Sequence, residues 1–337
     1  MTILTYEYQI SKSFIRGPTS LQNKHYHLRQ PIPTTSAKPA VIMKLSFTNL
    51  DAFTTTRYAG NPVAIIQVPA SAKTSLTQIQ KQVIAKEFNL SEVVFMHLPV
   101  PGASYEEITI DIFTSMTEVP FAGHPTIGSS HFLLHMLGKE TKALITKAGR
   151  IPIFVDPQTK YVKAVIPQVF HVHRKTYASE LNSLENPVAS IVKGMSFILA
   201  VLPNLEALGK ANGNINTAMF GPSALDEGWQ IGMVGTMYLV DQGVDKFGWK
   251  KYRTRMFANR EDPGCGSGSS ALGCWLALKE DKSAGKGPFR YAFTQGVELG
   301  KKNDISVEVT RDETGTAIEQ VLLSGRAVEV MEGTLVA

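Results

Sequence analysis

The feature that most constrains this chain is a pair of related octapeptides 143 residues apart. TEVPFAGH (117–124) lies over REDPGCGS (260–267), so that Glu118 meets Glu261, Pro120 meets Pro263, Ala122 meets Cys265 and Gly123 meets Gly266. Each follows a strand-like stretch and opens an apolar, helix-like one: HPTIGSSHFLLHMLGKE (124–140) after the first, GSSALGCWLALKE (268–280) after the second. A motif that occupies the same strand–loop–helix position twice predicts two pseudo-symmetric halves, each presenting a helix N-terminus. Such a terminus carries unpaired N–H groups and the positive end of the helix dipole, so two of them facing one another make a cradle for an anion. Glycines at 123, 264, 266 and 268 allow main chain to approach a ligand closely.

The rest of the pattern is rich in strands. KLSFTNLDAF, VAIIQV, EVVFMHL and EEITIDIFT precede the first motif. FILAVL, WQIGMVGTMYLV and YRTRMFA precede the second, and RYAFTQG, ISVEVTRD and EQVLLSGRAVEVMEG follow it. SLTQIQKQVIAKEF (75–88) spaces Leu76, Ile79, Val83 and Ile84 as on one face of a helix. The expected class is α+β, with residues 43–170 as an N-terminal half and 171–337 as a C-terminal half. Residues 1–42 differ in composition: basic, hydroxyl-rich, nearly free of acid and broken by Pro18, Pro31 and Pro33. They read as an N-terminal extension outside the fold, disordered or a mitochondrial transit segment.

Charge and cysteine usage narrow the partners. Residues 1–42 hold five Lys/Arg and one acid, so residues 43–337 carry only +1 of the formal +5. No basic stripe remains for nucleic acid. The longest apolar runs, such as FILAVL, are too short to span a bilayer. Two cysteines, Cys265 and Cys274, make no disulfide framework and fit a reducing, cytoplasmic compartment, or mitochondria if the extension is a transit segment. Nucleic acid and membrane are excluded as partners. A small molecule with a carboxylate or similar anionic group suits the paired helix ends.

LDAFTTTRYAGNPVAII, NLSEVVF, EVPFAGHPTIGSS, REDPGCGSGSSALG, FTQGVELG and LLSGRAVEVMEGTL occur in the order of the landmarks of the PhzF-like (phenazine biosynthesis-like) isomerases, and the chain resembles that family over residues 43–336. The resemblance implies a diaminopimelate epimerase-like fold: two halves, each a curled, mainly antiparallel sheet around a central helix, with the active site in the cleft between them. It also implies a homodimer with no metal and no organic cofactor.

The resemblance places the acid/base glutamate at Glu92 in LSEVVF. It makes His124 the pocket histidine, Asp262 the aspartate that binds a polar substituent, and Ser267 a loop residue that binds a carboxylate. Gly123 and Gly266 then bring main chain to the substrate, and Asn61 in AGNP is a further signature position. From the residues alone, Glu92 is equally a strand-end glutamate, and the others are caps or turn formers. Cys265 departs from the family, which has threonine there. The loop CGSG instead resembles the second-cysteine loop of diaminopimelate epimerase, but the first-thiol position is Ala122, so a two-thiol mechanism is excluded. A thiol at a helix N-terminus has a lowered pKa, which keeps a mixed Glu92/Cys265 pair open; the bland reading is a near-isosteric stand-in for threonine. ELGKK replaces the family's glycine-arginine-proline segment. His131 and His135 have metal-capable spacing but no third ligand by spacing, His171 and His173 are expected to face solvent, and Cys274 reads as core.

Three functions follow. The first is a cofactor-independent isomerase using Glu92. The second is a two-base racemase or epimerase using Glu92 and Cys265. The third is a non-catalytic binding protein of the same fold.

Overall fold

The computed structural model describes residues 43–216 and 225–337. The extension at 1–42 therefore lies outside the described residues, as do residues 217–224. The first half builds β1 (Lys44–Ala52), β2 (Asn61–Val68), β3 (Val93–His97), β4 (Glu107–Phe113), β5 (Glu118–Val119), β6 (Ala143–Thr146), β7 (Gly149–Val155) and β8 (Val162–Val165). Then come β9 (His171–Ser179), β10 (Leu184–Val192), β11 (Gly194–Val201), β12 (Gly232–Val244), β13 (Lys250–Phe257), β14 (Glu261–Asp262), β15 (Phe289–Gln295), β16 (Asn303–Arg311), β17 (Ile318–Gly325) and β18 (Ala327–Val336).

The expected pseudo-symmetry is present strand for strand. β1 pairs antiparallel with β2, β2 parallel with β3, β3 antiparallel with β4 and β4 parallel with β6, while β7 pairs antiparallel with both β6 and β8. The order β10, β11, β12, β13, β15, β16, β17 repeats that sequence of antiparallel and parallel ladders. The short β5 on β4 is matched by β14 on β13. Two pairings exchange between the halves: β18 returns to β1, and β8 pairs with β17.

Each sheet wraps one helix, α2 (Gly123–His131) or α4 (Gly266–Lys279). Both are buried almost all round, as apolar, small-residue helices must be to sit inside a curled sheet. Three of their hydroxyls bond back within the helix, while Ser129 and Ser269 Oγ are buried without a partner among the described residues. Thr126 Oγ1 donates to the Ala122 carbonyl at 2.8 Å, Ser130 Oγ to Thr126 at 2.7 Å and Ser270 Oγ to Gly266 at 2.8 Å, each within its own helix. The stretch read as one helix to 140 leaves the α-helical path after His131 for a π-helical turn at Phe132–Met136.

Two outer helices cover the sheets: α1 (Gln78–Phe88) on the first and α3 (Leu205–Lys210) on the second. Of the apolar positions read along α1, Leu76 and Ile84 pack inward, but the other two do not. Ile79 and Val83 are exposed, whereas Lys81 and Ala85 are buried. Lys81 reaches Asp111 on β4, and that ion pair turned the helix away from its apolar spacing. No helix among the described residues is long and apolar enough to cross a membrane.

Candidate active site

α2 and α4 meet at their N-termini, as the repeat predicted. A Cβ built on Gly123 would lie 2.6 Å from Gly266 Cα, and one on Gly266 would lie 2.9 Å from Gly123 Cα. Only a pair of glycines permits this approach. The amides of Gly123, His124, Gly266 and Ser267 have no acceptor among the described residues. Four unclaimed N–H groups at two dipole ends therefore converge on one place, an electrostatic cradle for carboxylate or enolate oxygen.

Glu92 stands just ahead of β3. Burial first, and the negative charge of Asp262 second, push its carboxyl up to about 7; Ser91 and the charge of Arg260 oppose the shift. At neutral pH it therefore populates both forms, as a proton shuttle requires. His124 Nε2 lies 3.6 Å from Glu92 Oε2. Burial drives His124 down to about 3, against a hydrogen bond to the Pro62 carbonyl, so the ring is neutral. Asn61 Nδ2 has two hydrogens and three neighbours: Asp262 Oδ1 at 2.9 Å, the Gly264 carbonyl at 3.0 Å and His124 Nδ1 at 3.2 Å. The two nearer acceptors take both hydrogens, so we assign the ring proton to Nδ1, facing Pro62. That leaves Nε2, buried and without a hydrogen-bond partner, as an acceptor toward Glu92.

Asp262 is half-buried, and desolvation raises its pKa against the Gly264 N–H, the Cys265 thiol, Arg260 and Asn61. Gln295 Nε2 fixes its backbone through its carbonyl at 2.7 Å, and Asn303 Nδ2 holds the next carbonyl, of Pro263, at 2.7 Å. Cys265 lies at the N-cap of α4, where its sulfur accepts the Gly268 N–H at 3.3 Å and sits 3.5 Å from Ser267 Oγ. The lowered thiol pKa expected at a helix N-terminus is not found. Burial, then the charge of Asp262, pushes the thiol far above its usual range. Desolvation here exceeds the dipole effect.

The structure thus brings Asn61, Glu92, Gly123, His124, Asp262, Cys265, Gly266 and Ser267 together. Sequence reasoning missed Ser91, whose hydroxyl reaches Asn61 Oδ1 at 3.4 Å, and also Gln295 and Asn303. The only signal for Ser91 was its place beside Glu92. The two halves also differ at one telling position. β3 and β4 align Val93 with Phe113, and β12 and β13 align Thr236 with Phe257. The counterpart of Glu92 is therefore Gly235, where a Cβ would lie 3.0 Å from the Phe257 carbonyl. The second half has neither a carboxyl nor room for one there.

Comparison with known proteins agrees with the fold. The family model described as phenazine biosynthesis-like protein matches residues 50–333. An uncharacterized isomerase of Pasteurella multocida is 29% identical, over 85% of this chain and 92% of its own. The trans-2,3-dihydro-3-hydroxyanthranilate isomerase of Pseudomonas aeruginosa is 26% identical, over 84% and 96%. The crystal structure of a PhzF-family protein from Bacillus anthracis covers 87% of this chain and 99% of its own, with a TM-score of 0.66 at 24% identity.

Proposed function

Because the chain belongs to the phenazine biosynthesis-like family, we propose that it is an isomerase that moves a proton within a small carboxylate-bearing metabolite, with Glu92 as the only shuttle. The observation that carries this reading is the asymmetry of the cleft. Glu92, raised to about 7, faces a second half that offers Gly235 at the equivalent place. The thiol that would have to serve as the opposing base is held protonated by burial and engaged as a helix cap.

In this mechanism the Glu92 carboxylate takes a proton from a carbon next to a carboxyl, carbonyl or imine group. The electron pair of that C–H bond passes into the conjugated system, and the amides of Gly123, His124, Gly266 and Ser267 hold the developing negative oxygen. Glu92, now a carboxylic acid, returns the proton to another carbon of that system, and a double bond shifts. Neutral His124 accepts from the acid form of Glu92 and keeps it oriented. Asp262, fixed by Asn61 and the Gly264 N–H, receives a polar donor of the substrate. No cofactor enters the proton balance.

The test is incubation in D2O with trans-2,3-dihydro-3-hydroxyanthranilate and a panel of unsaturated and α-hydroxy carboxylates. Deuterium incorporation and double-bond migration are followed by NMR. Glu92→Gln should abolish exchange while Cys265→Ser retains it within about tenfold. Exchange surviving in Glu92→Gln sinks the assignment. Washout at a stereocentre that disappears in Cys265→Ser favours the two-base epimerase instead.

A further inference from the structure

The face of the second sheet turned away from α4 carries a second cluster of chemically capable side chains. Ala189, Ile191 and Leu199 belong to the core around α4, whereas Val188, Ile198 and Val234 pack on the other side with Leu225 and Trp229. His171 and His173 alternate on β9 and so share a face, with ring centroids 4.7 Å apart. Both were expected to face solvent, but His173 is buried and only His171 is partly exposed. Asp226, 53 residues beyond His173 in the chain, joins them. Its Oδ2 lies 2.9 Å from His171 Nε2 and 3.9 Å from His173 Nδ1. Ligand atoms of the three residues all lie within 4.8 Å of one another.

We infer that His171, His173 and Asp226 form a site for one divalent transition-metal ion of the zinc class. Two imidazoles and one carboxylate are a donor set that suits such an ion, with a fourth place left for water. Tetrahedral bonds of about 2.0–2.2 Å space their donors roughly 3.3–3.6 Å apart. The observed 2.9 and 3.9 Å bracket that spacing.

The surroundings fix His173 in a usable form, whereas His171 Nε2 now donates to Asp226 Oδ2 at 2.9 Å and gives up that proton when the ion binds. His173 Nε2 donates to Ser190 Oγ at 2.8 Å, and Ser190 Oγ continues to Ser196 Oγ at 2.6 Å. That choice of tautomer leaves Nδ1 as a bare lone pair on the side of Asp226, the outer-sphere arrangement that orients metal-binding histidines. The lone pair now accepts the Asp226 N–H at 3.1 Å, a bond that the ion would replace. His171 is stacked on Trp229 at 4.8 Å, and Asp226 Oδ1 accepts the Arg174 N–H at 3.3 Å. The His131/His135 pair, rings 4.9 Å apart, has no such carboxylate. The ion would tie the connection that carries Asp226 and Trp229 to β9, remote from Glu92 in sequence and on the opposite face from α4.

The experiment is calorimetric titration of the EDTA-treated full-length chain with Zn2+, with Co2+ absorption as the probe of geometry. One ion per chain is expected, with the visible bands of tetrahedral cobalt. Binding should weaken at least tenfold in His171→Ala and in Asp226→Asn. Both residues are partly exposed, and circular dichroism checks the fold, with His171→Gln as the size-conserving second variant. Binding should be unchanged in His135→Ala and in the double variant His25→Ala/His27→Ala. The absence of a saturable ion overturns the inference, as does affinity that survives the His171 and Asp226 changes.

Discussion

Glu92 occupies a place where its charge is costly, and that cost is measurable without knowing the substrate. Its carboxyl moves from the ordinary 4.5 to about 7 on folding, so between those values the native state binds more protons than the unfolded chain. Stability therefore falls as pH rises through this window. The penalty is absent below about pH 4.5 and complete above about pH 7, where it amounts to about 3 kcal/mol. Glu92→Gln should accordingly unfold at higher urea than the parent at pH 8 and at the same urea near pH 4; equal midpoints at pH 8 would refute the raised pKa. Gly123→Ala should do the reverse, because its Cβ meets Gly266 main chain at 2.6 Å and neither backbone can yield. A loss of about 1–3 kcal/mol is expected from such overpacking. Gly209→Ala, with nothing within 4 Å, should be neutral or stabilising in the same melt. At this scale the sequence was informative about place: Glu92, His124 and Asp262 sit in short motifs, and the fold brings them together. It did not single out Gly235: the 143-residue offset lays it over Glu92, but only the strand register shows that the two occupy the same place. It left Cys265 open between base and stand-in for threonine, because burial, not position on the helix, sets the thiol.

Among the elements, the two outer helices show one architectural position filled with opposite charge. β3 sets Phe95 opposite Asp111, and β12 sets Tyr238 opposite Arg255, so Asp111 and Arg255 are counterparts. Asp111 binds Lys81 of α1, while Arg255 donates to the Leu208 and Ala211 carbonyls at the end of α3 and pairs with Glu261. The repeat was visible in the sequence, but the charge reversal hid this pair, and Lys81 hid the inner face of α1. The far end of α4 depends on a similar device. Arg311, fully buried, donates to the carbonyls of Ala277, Glu280, Asp281 and Gly285 and lies over the Phe289 ring. It satisfies acceptors that the helix end leaves open, with no carboxylate among its hydrogen-bond partners. Arg311→Leu strands those carbonyls in the interior, and a loss of about 3 kcal/mol or more is expected in urea unfolding. Arg311→Lys, which keeps the charge but not the fork, should fall between. An unchanged midpoint in Arg311→Leu would show that water reaches this helix end.

For the whole molecule, two exchanged pairings decide how the halves behave. A chain of two independent lobes would unfold in two steps, and the internal repeat by itself invites that picture. The observed topology opposes it. β18, the last strand, crosses to complete the sheet of β1, and β8 joins that sheet to β17. Gly123 and Gly266 then hold the helix ends in main-chain contact across the junction, where Phe53 would also crowd a Cβ on Gly266 at 3.1 Å. The first half thus lacks its edge strand until the C-terminus has been placed, and neither helix cradle is complete alone. Such pairings join residues almost 300 apart in sequence, Lys44 with Val336, which is why local pattern could announce two halves but not their interlock. Closing them early is entropically unfavourable, so folding should be slow for this size and strongly cooperative. Calorimetry should give a single transition whose van't Hoff and calorimetric enthalpies agree. Truncation after Arg326 removes β18 and uncovers the β1 edge, and should abolish that transition rather than unfold one half alone. A surviving second-half transition in the truncated chain would show that the halves are separable after all.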